Sequence, residues 1–188
     1  MKRIFLAAGH YPAKPGACYK GYCEHDEAVL WTESFQELLG ERVVVIPPGT
    51  LQTKADYINA RVQPGDVAIE IHFNSFVKAG EHVGKGCVTL FYPGSSNGMA
   101  LADVCQSAMA SCFEPSRGCK EGWYRGKQER GAYFFLEKTR CPAVILEPQF
   151  IHLKESIVSN RAGCCFALAT ALTKYLGDED GLAHTEAS

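Results

Sequence analysis

The run Ala143-Val144-Ile145-Leu146-Glu147-Pro148 decides the fold. Four apolar residues in succession, two of them β-branched, end in a carboxylate and a proline. A strand with one wet face alternates apolar and polar side chains, whereas an unbroken apolar run reads as a strand covered on both sides. Val67 to Phe73 and Lys2 to Ala8 are largely of the same kind, and Arg42 to Ile46 is a β-branched run halted by Pro47 and Pro48. Lys85 to Tyr92 gives another strand, closed by Pro93 and Gly94. Ala132 to Leu136 is apolar enough to be a sixth, placed to form a hairpin with the run at 143.

Helical patterns lie between these runs. Ala28, Trp31, Phe35, Leu38 and Leu39 recur at steps of three and four across Glu24 to Leu39, with Gly40 as the stop. A second helix is predicted over Gln52 to Arg61. Leu101, Cys105, Ala108 and Cys112 trace a third, and Val158, Ala162, Cys165, Ala169, Leu172 and Leu176 a long closing one. Strands alternating with helices predict an α/β fold: a mixed, mostly parallel sheet flanked by helices on both faces. A single domain is expected over residues 1–176. Residues 177–188 hold Asp178, Glu179, Asp180 and Glu186 with no Lys or Arg, and are expected to form a disordered acidic tail.

The composition narrows the function. A chain of 188 residues can bury a full core, and 46 % apolar with 21 % charged residues excludes disordered, collagen-like and coiled-coil classes. Nineteen Lys and Arg against 21 Asp and Glu leave no basic stripe, so no nucleic-acid partner is expected. No apolar stretch approaches the ~20 residues that cross a bilayer, so no transmembrane segment is expected. Lys2 and Arg3 ahead of Ile4 to Ala8 imitate a signal peptide, but the run falls short of the ~7–15 residues of a signal core. The chain is therefore expected to be made in the cytoplasm without a secretion signal. Nine cysteines, an odd number, then point to reduced thiols rather than a disulfide framework. Cys105, Cys112 and Cys165 read as core fillers, and Cys18 with Cys23 carries the lesser alternative of a metal knuckle.

Ligands of open α/β sheets bind beyond the carboxyl ends of the strands. Gly9-His10 follows the first strand, His72-Phe73-Asn74 ends the strand from Val67, and Glu147-Pro148 closes the strand from Ala143. Glu24 opens the first helix, where the dipole favours a negative charge. Two imidazoles and a carboxylate are the ligand set of a catalytic zinc with an open fourth position, and the second carboxylate would shuttle protons. The same residues taken singly also fit ordinary polar strand ends and a helix-start carboxylate, and Glu27 lies one helical turn beyond Glu24.

Five short motifs resolve the choice. Ala8-Gly9-His10, Pro15-Gly16-Ala17, Gly21-Tyr22-Cys23-Glu24, Ile71-His72-Phe73-Asn74 and Pro142 to Ile151 resemble, in order and spacing, those of the zinc-dependent N-acetylmuramoyl-L-alanine amidases with a type-3 amidase domain. The resemblance covers the chain from the first strand to the last helix. It implies zinc ligands His10, Glu24 and His72, with Glu24 preferred to Glu27 because it follows Gly21-Tyr22, and Glu147 as the catalytic acid–base residue. It also implies peptidoglycan as substrate, cleaved between the lactyl group of N-acetylmuramic acid and L-alanine, and an endolysin-type enzyme that reaches the wall after release. A zinc peptidase acting within the stem peptide and a non-catalytic wall-binding protein are the alternatives.

The remaining polar residues have plainer readings. Glu70 is expected in a salt bridge, His25 and His82 in solvent, His152 at the rim of the site, and Asn74 as an anchor of the His72 loop. The basic segment Arg117 to Arg130, with Trp123 and Tyr124, reads as a solvated loop, with a groove for anionic wall polymer as the alternative.

Overall fold

In a computed structural model describing residues 1–177, six strands form one mixed sheet. They are β1 (Ile4–Ala8), β2 (Val43–Val45), β3 (Val67–Ile71), β4 (Cys87–Phe91), β5 (Ser116–Glu121) and β6 (Ala143–Glu147). Their order across the sheet is β2-β1-β3-β6-β4-β5. The first four are mutually parallel; β4 pairs antiparallel with β6 and parallel with β5. Helices α1 (Glu24–Leu39), α2 (Leu51–Asn59), α3 (Ser96–Ala110), α4 (Phe134–Lys138) and α5 (Lys154–Leu176) cover it.

Both faces are packed, which is why the strands are apolar throughout. Ile4, Leu6, Ile69, Ile71, Val144 and Leu146 face one core with Trp31, Phe35, Leu168 and Leu172 from α1 and α5. Phe5, Ala7, Ala68 and Ile145 point the other way, onto Ile58 of α2 and Phe135 and Leu136 of α4. A partly buried ion pair ties α1 to α5: Arg161 Nη1 donates to both carboxylate oxygens of Glu27 at 2.8 and 2.9 Å, and Trp31 Nε1 donates to Oε1 as well at 2.9 Å. Among the described residues no helix is long and apolar enough to cross a membrane.

Three expectations are corrected. The segment from Ala132 to Leu136 is not a strand: its apolar residues belong to α4, where Phe135 and Leu136 bury against the sheet. A short apolar run carries no period that separates strand from helix. The sixth strand is instead Ser116–Glu121, within the basic segment read as a loop. As an edge strand it needs only one partner and stays half-exposed, so it lacks an apolar signature. Finally, Cys18 and Cys23 form a disulfide rather than free thiols or a metal knuckle. Cys18–Tyr19 pairs antiparallel with Tyr22–Cys23 across a two-residue turn, Lys20 and Gly21, both at positive φ. That register sets the two cysteines directly opposite each other. The other seven are free; Cys105 and Cys165 are buried as expected, whereas Cys112 lies just past α3 and is half-buried. The acidic tail expected after 176 lies, Gly177 apart, outside the described residues.

Ile69→Ala, in the middle of a fully covered strand, is expected to cost about 2–5 kcal/mol of stability by leaving a cavity. Phe166→Ser on the exposed side of α5 should stay within about 0.5 kcal/mol. Urea denaturation of the two variants checks the contrast.

Candidate metal centre

The register of three parallel strands builds the site. Ala8 of β1 and Leu146 of β6 both lie beside Ile71 of β3, so the residues that follow emerge together at one sheet edge. The ladder continues one step beyond the strands: Gly9 N–H donates to Ile71 O at 2.7 Å and His72 N–H to Leu146 O at 2.8 Å. His10, His72 and Glu147 therefore stand side by side. Glu24 reaches them from the first turn of α1, an acidic turn at the positive end of the helix dipole.

His10, Glu24 and His72 form a cluster whose ligand atoms lie within 4.8 Å of one another. Glu24 Oε2 is 3.0 Å from His10 Nε2 and 3.4 Å from His72 Nδ1, and the imidazoles meet edge to face at 4.7 Å between centroids. The other oxygen, Oε1, accepts the Ala17 N–H at 2.8 Å, which fixes the carboxylate's orientation. Two nitrogens and one oxygen converging this closely suit a borderline divalent cation such as zinc. His72 also carries the support that metal-binding imidazoles need: its far nitrogen, Nε2, is 3.1 Å from Glu70 Oε2. Glu70 is itself held by Lys54, whose Nζ lies 2.8 Å from Oε1 and also donates to Ala8 O at 2.6 Å.

The backbone around the cluster leaves no spare room. His10 has φ 59°, a left-handed conformation that non-glycine residues seldom adopt. Gly16, at φ +82°, packs so tightly on it that a Cβ would fall within 2.9 Å of three ring atoms. A Cβ on Gly9 would meet the His72 ring at 2.8 Å. Only glycine permits either approach.

Electrostatics divide the two carboxylates. Burial pushes Glu24 up, but hydrogen bonds and charge from His10 and His72 outweigh it and hold the carboxyl down at about 2. Burial likewise opposes ionised Glu70, which His72 and Lys54 hold at about 2. Burial would lower His72, yet Glu70 and Glu24 raise it to about 10, so the two carboxylates on either side favour its protonated ring. Glu147 goes the other way. Burial raises it to about 7; His72 pulls it down, Glu24 pushes it up, and Arg117 and His10 pull it down again. Together with His10 and His72 it lines a cleft of about 260 Å3 that Tyr124, Tyr133 and Phe134 also line.

The four expected site residues thus come together in space, and Glu27 is withdrawn into its pair with Arg161. Glu70 makes the salt bridge expected of it. His25 is not in solvent: it is buried, with Nδ1 2.9 Å from Gly9 O, and so buttresses the loop that carries His10. The sequence reading missed Lys54 as part of the site. Its signal was present, a lysine four residues before Ile58 on the apolar side of a helix, where only a paired ammonium can be buried.

The N-acetylmuramoyl-L-alanine amidase family (Amidase_3) matches residues 4–158, and the chain belongs to that family. It is an amide hydrolase of peptidoglycan-amidase type. Among solved structures it is similar to an N-acetylmuramoyl-L-alanine amidase from Clostridium difficile 630, with TM-score 0.78 and 18 % identity over 96 % of this chain and 98 % of that one. AmiC2 of Nostoc punctiforme follows with TM-score 0.74 and 18 % identity, covering 94 % and 98 %. The catalytic domain of the CD27L endolysin, targeting Clostridia difficile, gives 0.66 and 21 %, covering 93 % and 98 %. At these identities the likeness is one of fold. No curated protein matches the chain in sequence.

Glu147 makes stability pH-dependent in a definite direction. Its carboxyl ionises near 4.5 in the unfolded chain and at about 7 in the folded one, so the folded state holds the extra proton and loses stability as pH rises through that window. In chelator-treated protein, the melting temperature of Glu147→Gln relative to wild type is expected to climb from pH 5 to pH 8. Parallel curves would remove the assignment of a raised carboxyl to Glu147.

Proposed function

We propose that this chain is a zinc-dependent peptidoglycan amidase in which His10, Glu24 and His72 hold the metal and Glu147 is the acid–base residue. The bond cut is the amide between the lactyl group of N-acetylmuramic acid and L-alanine. One observation carries the reading: a half-buried carboxyl raised to about 7 shares a cleft with the two imidazoles of a two-imidazole, one-carboxylate cluster. A group that titrates near neutrality both takes and returns a proton readily, which an amide hydrolase requires.

Zinc, when bound at such a ligand set, supplies a Lewis acid that polarises the scissile carbonyl and brings the pKa of water toward ~7. The chain's own residues do the rest. Glu147 accepts the proton of the attacking water on its carboxylate and delivers it to the departing nitrogen, because an amine leaves poorly unless protonated. Glu70 engages Nε2 of His72 and so leaves Nδ1 directed at Glu24. His72 and Lys54 together keep Glu70 ionised against a burial that favours the neutral acid. Since His72 must give up its proton to serve as a ligand, metal loading should weaken as pH falls.

The same proposal places the activity in residues 1–176, with residues 177–188 as a tail. It gives the enzyme a bacteriolytic, endolysin-type role on the wall after release from the cytoplasm; likeness of fold to an endolysin catalytic domain supports that role.

Digestion of purified peptidoglycan with mass analysis of the fragments tests the reaction. New L-alanine amines are expected, abolished by EDTA and restored by zinc. Glu147→Ala should keep fold and metal while turnover falls by about 10²–10⁴. Release of free amino acids instead would mark a stem peptidase, and indifference to the chelator would dismiss the metal.

A further inference from the structure

The disulfide between Cys18 and Cys23 immediately precedes Glu24 in the chain. Its hairpin is short: Cys18 faces Cys23, Tyr19 faces Tyr22, and Lys20 and Gly21 close the turn at φ 49° and 79°. The next rung outward joins Ala17 to Glu24. Glu24 N–H donates to Ala17 O at 3.0 Å, and Ala17 N–H donates to Glu24 Oε1 at 2.8 Å. The cross-link therefore lies one rung from the bond that aims the carboxylate. A residue earlier, Gly16 packs against the His10 ring, and Pro15 O accepts the His25 N–H at 3.0 Å. One short segment thus touches two of the three side chains in the metal-binding cluster.

Two rungs of antiparallel backbone are not stable by themselves. Lys20 adds to the cost, since a residue with a side chain seldom adopts a left-handed conformation. The disulfide supplies what the ladder lacks. Its sequence separation is only 5, so it closes a small loop and contributes less to global stability than a bridge between distant segments. Its loss is felt locally, where Ala17 meets Glu24. Cys18 is exposed and Cys23 half-buried, so a dithiol in solution meets the pair from the Cys18 side. Cys87, Cys105, Cys164 and Cys165, by contrast, are buried as free thiols.

We propose that the Cys18–Cys23 disulfide is a redox switch on the metal centre: reduction by a dithiol loosens the segment that aims Glu24 and packs on His10, and metal affinity falls. The chemistry is thiol–disulfide exchange. One thiolate of the dithiol attacks Cys18 Sγ, the bond to Cys23 breaks, and Cys23 leaves as a thiolate that takes up a proton. The second thiolate of the reductant then displaces Cys18, which is protonated in turn. Two electrons and two protons pass to the protein, and the dithiol departs as a disulfide. Where dithiols are abundant the site is underloaded, and where they are scarce it fills. The inference rests on the reading of His10, Glu24 and His72 as metal ligands and adds to it a means of regulation.

The test measures zinc affinity by competition with a chromophoric chelator. Three samples are compared: oxidised wild type, wild type reduced with dithiothreitol that is then removed without air, and the double variant Cys18→Ala, Cys23→Ala. Alanine is chosen because Cys23 is the N-cap of α1, where a serine hydroxyl would add a cap of its own. Thiol counting should give seven in the oxidised protein and nine in the reduced one. On reduction the zinc Kd is expected to rise by about tenfold or more, the scale of losing a group that supports a metal ligand. Reoxidation should restore it. The double variant should match the reduced protein and ignore the dithiol. Hydrogen exchange at the Ala17 and Glu24 amides should quicken on reduction while metal-free protein still melts cooperatively. Nine thiols before reduction, equal zinc affinity in both forms, a response that persists in the double variant, or a loss of affinity that accompanies global unfolding would overturn the switch. Oxidised protein that binds no zinc would sink the metal reading and this inference with it, whereas zinc bound equally in both forms sinks this inference alone. Should the double variant not fold, the wild-type cycle of reduction and reoxidation decides.

Discussion

A single oxygen, Oε2 of Glu24, holds the working end of this protein together. His10 and His72 both turn to it, and behind His72 the order of groups is Glu70 and then Lys54. From the interior outward the line runs ammonium, carboxylate, imidazolium, carboxylate, and then the His10 ring. Each charge is tolerated in a buried setting because the next has the opposite sign; a missing member would strand its neighbours. The alternation also explains how two imidazoles and a carboxylate can lie this close together. A proton on His72 satisfies the carboxylates on either side, and a divalent cation offers the same charge complement in greater measure.

Two glutamates at one site illustrate how environment sets chemistry. Glu24 and Glu147 both face burial, which alone would make each a weak acid. Glu24 receives two imidazoles and a backbone N–H and so stays ionised. Glu147, at the end of the neighbouring strand, lacks comparable donors and keeps its proton until about 7. The fold arranges this difference through register. Three adjacent parallel strands end level with one another, while Glu24 arrives separately on a helix whose first turn is acidic. The hairpin closed by Cys18–Cys23 leads straight into that helix, so the disulfide braces the segment that delivers Glu24.

Much of this was legible along the chain. Ala143 to Glu147 and Val67 to Ile71 announce doubly covered strands because nothing polar interrupts them except residues with work to do. His10, His72 and Glu147 each stand just past such a run, and their positions at the strand ends suffice to bring them to one edge. The failures have equally particular causes. Phe134 to Lys138 is too short for apolar spacing to reveal a helix, and Ser116 to Glu121 is an edge strand whose exposed residues obey no burial pattern. His25 seemed a solvent residue because no sequence rule shows that Gly9 would offer it a carbonyl. The cysteine pair depended on a two-residue turn at Lys20 and Gly21, which the overall cysteine count could not register.

By itself the sequence determined the layered α/β plan, the mostly parallel sheet and the residues able to carry the chemistry, since these follow from local apolar runs and from what stands at their ends. Only the tertiary structure decided which carboxylate joins the imidazoles, that Lys54 and Glu70 stand behind His72, and that Glu147 becomes a weak acid. Those outcomes depend on distances between segments far apart in the chain and on how much water remains around each group. Neither quantity is a property of any stretch of residues read alone.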